Sequence, residues 1–223
     1  PSGNEDEPWL RAGVAFALMP HSYAMSSDGG ADVPPDAHFT NGPLNGGFDV
    51  RAVAWPSNNS LGFEGRIKGF VDALDVAGVN TKSFGTAFHI GARFRQEIGA
   101  SESHWYVAAG FAGMSPVVFR YKSAALDAVE LIRVPLYGLR AGGGVLFGSD
   151  PFAFDLTLTE TFAPAPVDTA LSGVLDYKVS DAFAIRGGLD LDLLTTNIDV
   201  GSETAQVTDM EYGINLGVSY LLF

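Results

Sequence analysis

Three things are scarce in this sequence: cysteine, charge and long apolar runs. Cysteine is absent, which fits an oxidising compartment where a stray thiol is a liability. Charged residues make up 17% of the chain, against roughly 25% in an ordinary soluble domain. No apolar run reaches the length of about 18 residues that a membrane-spanning helix needs. The net charge of −13 argues against a nucleic-acid partner, because duplex binding depends on neutralising phosphates with Lys and Arg.

The chain is nevertheless apolar, with 47% hydrophobic residues and 27 glycines among 223 residues. A closed β-barrel is the remaining way to cross lipid, because only helices and barrels satisfy every backbone group there. We expect residues 1–8, "PSGNEDEP", to form an N-terminal periplasmic tail or linker and residues 9–223 to form the barrel. No basic stretch followed by an apolar stretch comes after Pro1, so we expect any secretion signal to have been removed or to lie outside this sequence.

Alternation of apolar and polar residues marks about ten segments of roughly ten residues, the length of a tilted transmembrane strand. The predicted strands lie near 9–19, 47–56, 61–72, 82–96, 104–114, 131–147, 152–162, 170–179, 183–194 and 210–223. Short turns at 56–60, 97–103, 148–150 and 180–182 alternate with longer connections at 20–46, 73–81, 115–130, 163–169 and 195–209. Outer-membrane barrels have this arrangement, with short periplasmic turns and long extracellular loops. We therefore predict an all-β fold, a closed antiparallel up-and-down transmembrane barrel of about ten strands, with eight as the alternative.

Each predicted strand has one apolar and one polar face. In "FAIRGGLDLDLL" the apolar face contains Phe183 and Leu189, and the polar face contains Arg186, Asp190 and Asp192. A lipocalin-like soluble barrel would turn the apolar face inward around a ligand. The polar face instead mixes long charged side chains with Gly, Ala and Ser. This mixture suits a narrow lumen inside a membrane barrel.

The polar faces predict a charged lumen. Nine of the 13 cations lie at lumen positions together with seven acids, so the lumen carries about +2 and the rest of the chain about −15. The predicted lumen charge network contains Arg11, Asp49, Arg51, Glu64, Arg66, Lys68, His89, Arg93, Arg95, Arg140, Asp155, Asp176, Arg186, Asp190 and Asp192. We expect these charges to be paired, since a lone buried charge is very costly. The network is either a salt-bridged plug or an ion path through a gated pore. Small barrels leave little open lumen, which favours the plug.

The hairpin "LDYKVSDAFAIRGGLDL" and the last strand "EYGINLGVSYLLF" resemble those of the small bacterial outer-membrane β-barrel proteins, such as the outer-membrane protein A and X transmembrane domains. The likeness extends over nearly the whole chain from Trp9. It implies an outer-membrane location, contact with outer-membrane lipid and lipopolysaccharide, and recognition of the apolar terminus by the barrel assembly machinery. It carries over no active residues.

The last strand is predicted to pair with the first, near "WLRAGVAFALM", because this pairing removes the edge of the sheet. The apolar series of the last strand includes Tyr220 and Leu222 and is out of step with Phe223. We therefore expect Tyr220 and Leu222, and not the final residue, to face lipid.

Aromatic residues near the short turns predict an interfacial girdle on the periplasmic side. Its predicted members are Trp55, Trp105, Phe154, Tyr177, Phe183 and Tyr220. Trp55 has lumen parity by strict counting, so either a bulge turns it outward or it caps the barrel mouth.

Catalytic signals are sparse. His38 with Asp36 and Asp32, in "DVPPDAH", resembles the Asp and His arrangement on the rim of ten-stranded outer-membrane proteases, in which a carboxylate orients a His that acts as a base. A second carboxylate pair on another strand is missing, so we expect no enzymatic activity. No cofactor is predicted, although acidic loops could bind Ca²⁺ or Mg²⁺ loosely.

The sequence therefore favours a non-enzymatic integral barrel that acts as an anchor, a structural component or an adhesion and interaction platform through acidic outer loops. We expect any protein partner to bind at loop 20–46, since long loops carry function on rigid scaffolds, or at the N-terminal tail. The alternative is a narrow, porin-like channel for ions or small solutes. A rim hydrolase is the third hypothesis.

Overall fold

The computed structural model describes residues 8–27, 36–40, 46–56, 60–76, 79–98, 103–121, 129–163 and 166–223. The predicted tail therefore falls outside the described residues except for Pro8. Among the described residues, no helix is long and apolar enough to cross a membrane. Within these ranges the strands are β1 (Leu10–Leu18), β2 (His21–Ser27), β3 (Asp36–Thr40), β4 (Gly46–Ala54), β5 (Leu61–Val76), β6 (Val79–Glu97), β7 (His104–Met114), β8 (Val117–Tyr121), β9 (Val129–Arg133), β10 (Leu136–Ser149), β11 (Phe152–Phe162), β12 (Pro166–Lys178), β13 (Phe183–Val200) and β14 (Glu203–Leu222).

Ten of these strands form an antiparallel ring in the order β1, β4, β5, β6, β7, β10, β11, β12, β13 and β14. The ring closes because β1 also pairs with β14, from Leu10 opposite Leu222 to Leu18 opposite Ile214. The predicted pairing of the last strand with the first is confirmed, and the eight-stranded alternative is wrong.

The outer surface of the ring is apolar and the inner surface is polar. On β14, Ile214 and Leu216 are 60% and 68% exposed, whereas Asn215 and Ser219 between and beside them are buried. A soluble barrel would have the opposite arrangement, so this exterior requires lipid around it. Tyr220 lies on the outer face as predicted.

The last two residues of the chain, Leu222 and Phe223, differ in their exposure. Leu222 is only half-buried at the end of β14. Phe223 follows the strand and is exposed, with its ring 5.1 Å from the Lys178 ammonium. Its position beside a charged group agrees with the expectation that it does not continue the lipid-facing row.

The strands extend well beyond the predicted segments, so two of the predicted long loops are wrong. Residues 195–209 form the end of β13 and the start of β14, joined by a tight turn at Gly201 and Ser202. Gly201 has a φ of 63°, a conformation that glycine adopts without steric cost. Residues 73–81 likewise belong mostly to β5 and β6. Outside lipid a hydrogen-bonded hairpin can continue with polar outer residues. Segments of bilayer length therefore cover only part of each of these strands.

Three more predicted boundaries differ from those in the structure. The predicted loop 20–46 contains β2 and β3, and the predicted loop 163–169 contains the start of β12. The predicted strand 131–147 is divided between β9 and β10 at Val134 and Pro135. Proline has no N–H to donate to a ladder, which explains the break.

Strands β8 and β9 form a separate two-stranded hairpin, which we call the lid hairpin. It packs on the inner face of the extended β2, β13 and β14, beyond the ion-lined part of the lumen. This contact is a buried apolar cluster that contains Tyr23, Met25, Val117, Val118, Phe119, Ile198, Val200, Ala205 and Val207. The Tyr23 hydroxyl donates a hydrogen bond to the Val117 carbonyl (2.8 Å). Burial, together with the nearby Asp209 carboxylate, raises the pKa of Tyr23 far above its usual range.

Position along β14 provides a test of the membrane orientation. We expect Leu216→Arg to lower the free energy of unfolding from lipid vesicles by about 2–4 kcal/mol, because the new charge would face the acyl chains. Gln206→Arg is the matched control, since Gln206 is exposed on the same strand beyond the ring. Urea titration of both variants measures the difference. Equal stabilities would contradict a lipid-facing Leu216.

Candidate functional site

The inner face of the ring carries a dense set of charged side chains, because every second residue of each strand points into the lumen. The structure buries ten of the predicted network residues: Asp49, Arg51, Glu64, Arg66, Lys68, Arg93, Arg95, Asp176, Arg186 and Asp190. The remaining predicted members are only partly exposed: Arg11, His89, Arg140, Asp155 and Asp192. All of the predicted network residues are therefore buried or half-buried in the structure.

The part of the network that lies further from the short turns is centred on Arg66 of β5. Its guanidinium contacts Asp49 of the neighbouring strand β4 (2.8 Å) and Asp190 of β13 (2.5 Å). Lys68, one luminal position further along β5, contacts Asp192 of β13 (2.5 Å) and Glu211 of β14 (3.2 Å). Strands β5 and β13 are not neighbours in the ring, so these ion pairs cross the lumen.

A second group lies closer to the short turns and is centred on Asp155 of β11. Its carboxylate accepts hydrogen bonds from Arg51 of β4 (2.7 Å), Arg93 of β6 (3.0 Å) and the Tyr106 hydroxyl of β7 (2.5 Å). Arg93 also contacts Glu64 (2.6 Å). Since β4 and β11 lie on opposite sides of the ring, this group also ties opposite walls together.

The third group pairs Arg186 with Asp176 (2.9 Å) near the short-turn end. The Ser219 hydroxyl donates to the same carboxylate (2.7 Å). Gly13 lies beside this pair, and a Cβ atom there would come within 2.3 Å of an Arg186 guanidinium nitrogen. Small luminal residues therefore provide the room that the long cations occupy.

Sequence reasoning missed several members of the network. Glu211 is not among the predicted members, although it shares luminal parity with Asn215, whose amide donates to Asp190 (2.6 Å). Asp168 falls in the predicted loop 163–169, but it lies on β12 and is buried. The alternation of Asp168, Ala170, Ser172 and Asp176 indicates its direction once the strand is extended to include it. Tyr106 carries no signal of its role in the sequence, because its hydroxyl partner lies two strands away.

Two cavities flank the network. A wide cavity of about 640 Å³ opens at the short-turn end, where Arg11, Lys178 and Phe223 line it. A smaller cavity of about 90 Å³ lies at the other end, beside Arg133 of the lid hairpin, and is lined in part by His89 and Arg140. His89 Nε2 is 3.8 Å from a Glu64 carboxylate oxygen, so this histidine belongs to the network.

Most of the predicted girdle residues have exposed side chains, and the girdle itself stays a prediction. Trp105, Tyr177, Phe183 and Tyr220 are exposed on the outer face near the short turns. The rings of Phe183 and Tyr220 are 5.7 Å apart. Phe154 is half-buried and stacks on Phe147.

The assignment of Trp55 to the girdle is wrong. Its side chain is only 3% exposed, and the Arg95 guanidinium lies 4.2 Å from the ring centroid. Trp55 therefore caps the barrel mouth from inside, which was the other possibility that its parity allowed. This contact also satisfies a luminal cation by a cation–π interaction.

The candidate catalytic residues are only partly described. His38 and Asp36 lie on β3, opposite Ala24 and Ser26 of β2. Their side chains, like the whole of Asp32, are outside the described residues. Among the residues that the structure does describe, no three His, Asp or Glu side chains are grouped to hold a metal ion. Loose binding of Ca²⁺ or Mg²⁺ by the acidic loops stays a prediction.

Comparison with known proteins supports the fold. No protein-family model and no curated protein matches the sequence. Among solved structures, the outer membrane protease OmpT from Escherichia coli aligns with a TM-score of 0.60 and 9% identity, covering 96% of both chains. Ail of Yersinia pestis aligns with a TM-score of 0.33 and 11% identity, over 96% of this chain and 99% of its own. The chain thus has the fold of an outer-membrane β-barrel, and its apolar exterior agrees with a location in that membrane.

Removal of one luminal cation tests the energetics of the network. We expect Arg66→Met to destabilise the barrel by about 3–5 kcal/mol, because Asp49 and Asp190 would lose a buried partner. The control is Arg120→Met on the lid hairpin, whose exposed ion pair with Glu130 should contribute less than about 1 kcal/mol. Urea unfolding in lipid measures both. A loss at Arg66 no larger than that at Arg120 would contradict a tightly paired network.

Proposed function

We propose that this protein is a non-enzymatic and non-conducting outer-membrane barrel, which serves as an anchor, structural component or interaction platform at the cell surface. The observation that carries the proposal is the set of ion pairs that cross the lumen. Arg66 and Lys68 of β5 reach β13, and Arg51 of β4 reaches β11. A solute moving along the barrel would have to separate these pairs, and separating buried pairs is costly.

The lid hairpin supports the same proposal. It packs over the inner face of β2, β13 and β14 through apolar contacts, so it adds a second obstruction beyond the network. Arg133 at its base donates hydrogen bonds to the Ser83 hydroxyl (2.8 Å) and the Ser115 carbonyl (2.6 Å). The hairpin is therefore anchored to two other parts of the barrel.

The proposed contact surface is the segment 20–46, which includes the hairpin of β2 and β3. Strand β2 continues the tall wall formed by β13 and β14, with Ala205 opposite Ser27 and Glu211 opposite His21. A rigid sheet that stands above the bilayer is suited to present loops to a partner. The acidic charge outside the lumen favours a basic partner surface.

Two alternatives have less support. A narrow channel would need a continuous path, whereas the described ion pairs join opposite walls at more than one level. A rim hydrolase would rest on His38, Asp36 and Asp32, for which no catalytic geometry is described. The name of OmpT, a protease, applies to that protein, and at 9% identity the likeness concerns the fold.

Conductance in planar lipid bilayers separates the platform from the channel. We expect the native protein to produce no channel currents. We also expect none when residues 115–135 are replaced by a short Gly-Ser linker between Met114 and Leu136, which are already paired across β7 and β10. Currents should appear only when this deletion is combined with Arg51→Ala, Arg66→Ala, Lys68→Ala and Asp155→Ala, because the lid hairpin and the crossing ion pairs at both levels are then removed.

Heat-modifiable gel migration serves as the control that each variant is folded. Discrete single-channel currents from the native protein would contradict the proposal and favour the channel. Currents from the linker variant alone would show that the ion pairs do not close the lumen.

A further inference from the structure

The cavity of about 90 Å³ between the network and the lid hairpin has a mixed lining. Apolar atoms come from Phe70, Met114 and Leu194, and charged groups come from several strands. A cavity that only separated two packed regions would not need opposite charges in its wall. The positions of these charges indicate what the cavity can hold.

Arg140 of β10 is the first charge of interest. Its Nε is buried and has no hydrogen-bond partner, and no ion pair joins Arg140 to another described residue. Five other luminal arginines each contact a carboxylate or an aromatic ring: Arg51, Arg66, Arg93, Arg95 and Arg186. A buried N–H group without an acceptor carries the cost of its desolvation. An anionic group in the cavity would remove that cost.

Asp168 of β12 is the second charge of interest in the wall of the cavity. It is 7% exposed, and its described partner is the Thr161 hydroxyl at 3.5 Å, a long contact for a buried carboxylate. Thr161 lies opposite Arg140 on one side and opposite Asp168 on the other. Arg140 and Asp168 are therefore two strand spacings apart, about 10 Å between Cα atoms, on the same wall of the cavity.

Two neighbouring cations are held by other carboxylates. Lys68 contacts Asp192 and Glu211. Arg66 is held by Asp49 and Asp190. The remaining charged or titratable lining residues are His89 of β6, Arg133 at the base of the lid hairpin and Asp209 of β14. The cavity thus has a cationic end at Arg140 and an anionic end at Asp168.

We infer that this cavity binds a small zwitterion, with its carboxylate at Arg140 and its ammonium group at Asp168. A free amino acid with a small side chain is the chemical class that fits. The cavity volume corresponds to about three water molecules at roughly 30 Å³ each, which matches a molecule of alanine's size. Phe70, Met114 and Leu194 provide an apolar wall for the side chain.

Equilibrium dialysis of the folded, detergent-solubilised protein with radiolabelled L-alanine tests the inference, because long incubation allows for slow entry beneath the lid hairpin. We expect saturable binding. Unlabelled propionate, which lacks the ammonium group, and ethylamine, which lacks the carboxylate, should each compete at least about tenfold more weakly than unlabelled alanine.

Two variants test which protein group binds the carboxylate of the ligand and which binds its ammonium group. Arg140→Met and Asp168→Asn should each weaken alanine binding by at least about tenfold, since each leaves one ligand charge buried without its partner. Arg120→Met and Asp181→Asn are the matched controls, because both wild-type residues are exposed and distant from the cavity. Heat-modifiable migration confirms that each variant is folded.

The inference is overturned if the folded native protein binds none of glycine, alanine and serine. It is also overturned if propionate or ethylamine competes as well as alanine, or if the two cavity variants bind alanine as tightly as the two controls. These outcomes are independent of the conductance measurements, because a closed barrel can hold a small molecule whether or not it conducts.

Discussion

Every backbone group inside a bilayer must be hydrogen-bonded within the protein, because lipid offers no partner. The pairing of β1 with β14 meets this requirement, since it leaves the ring without an open edge at the level of the membrane. Once the ring is closed, alternation along each strand determines where polar groups can go. Apolar side chains cover the outside, and all charges on these strands must share one narrow lumen.

That narrow space explains the composition of the network. The long cations extend across the barrel, and small residues such as Gly13 make room for them. Carboxylates serve more than one cation, as Asp155 does for Arg51 and Arg93. The same contacts that satisfy buried charge also tie opposite walls together, so the obstruction of the lumen and the rigidity of the barrel have one cause.

Beyond the bilayer, backbone groups no longer depend on the protein alone for hydrogen bonds. The inner face of the barrel changes there from charged to apolar. On β13 the luminal residues Asp190 and Asp192 are followed at the same parity by Leu194, Ile198 and Val200. The charged part faces ion partners, whereas the apolar part packs against the lid hairpin. The cavity with Arg140 lies at this transition, where neither the network nor the hairpin fills the space.

The sequence alone determined the barrel, the membrane-facing side and the direction of luminal residues such as Arg66, because a period of two residues is a local property of a strand. It favoured ten strands but left eight as an alternative. It did not determine where strands end outside lipid, as the extensions of β13 and β14 show, since a hydrogen-bonded hairpin there is not limited to the thickness of the bilayer. It also left Trp55 with two possible positions. Which charges meet, and why Asp168 and Glu211 belong to the lumen, were decided by the tertiary structure, because these contacts join strands that are distant in sequence and depend on the register in which the ring closes.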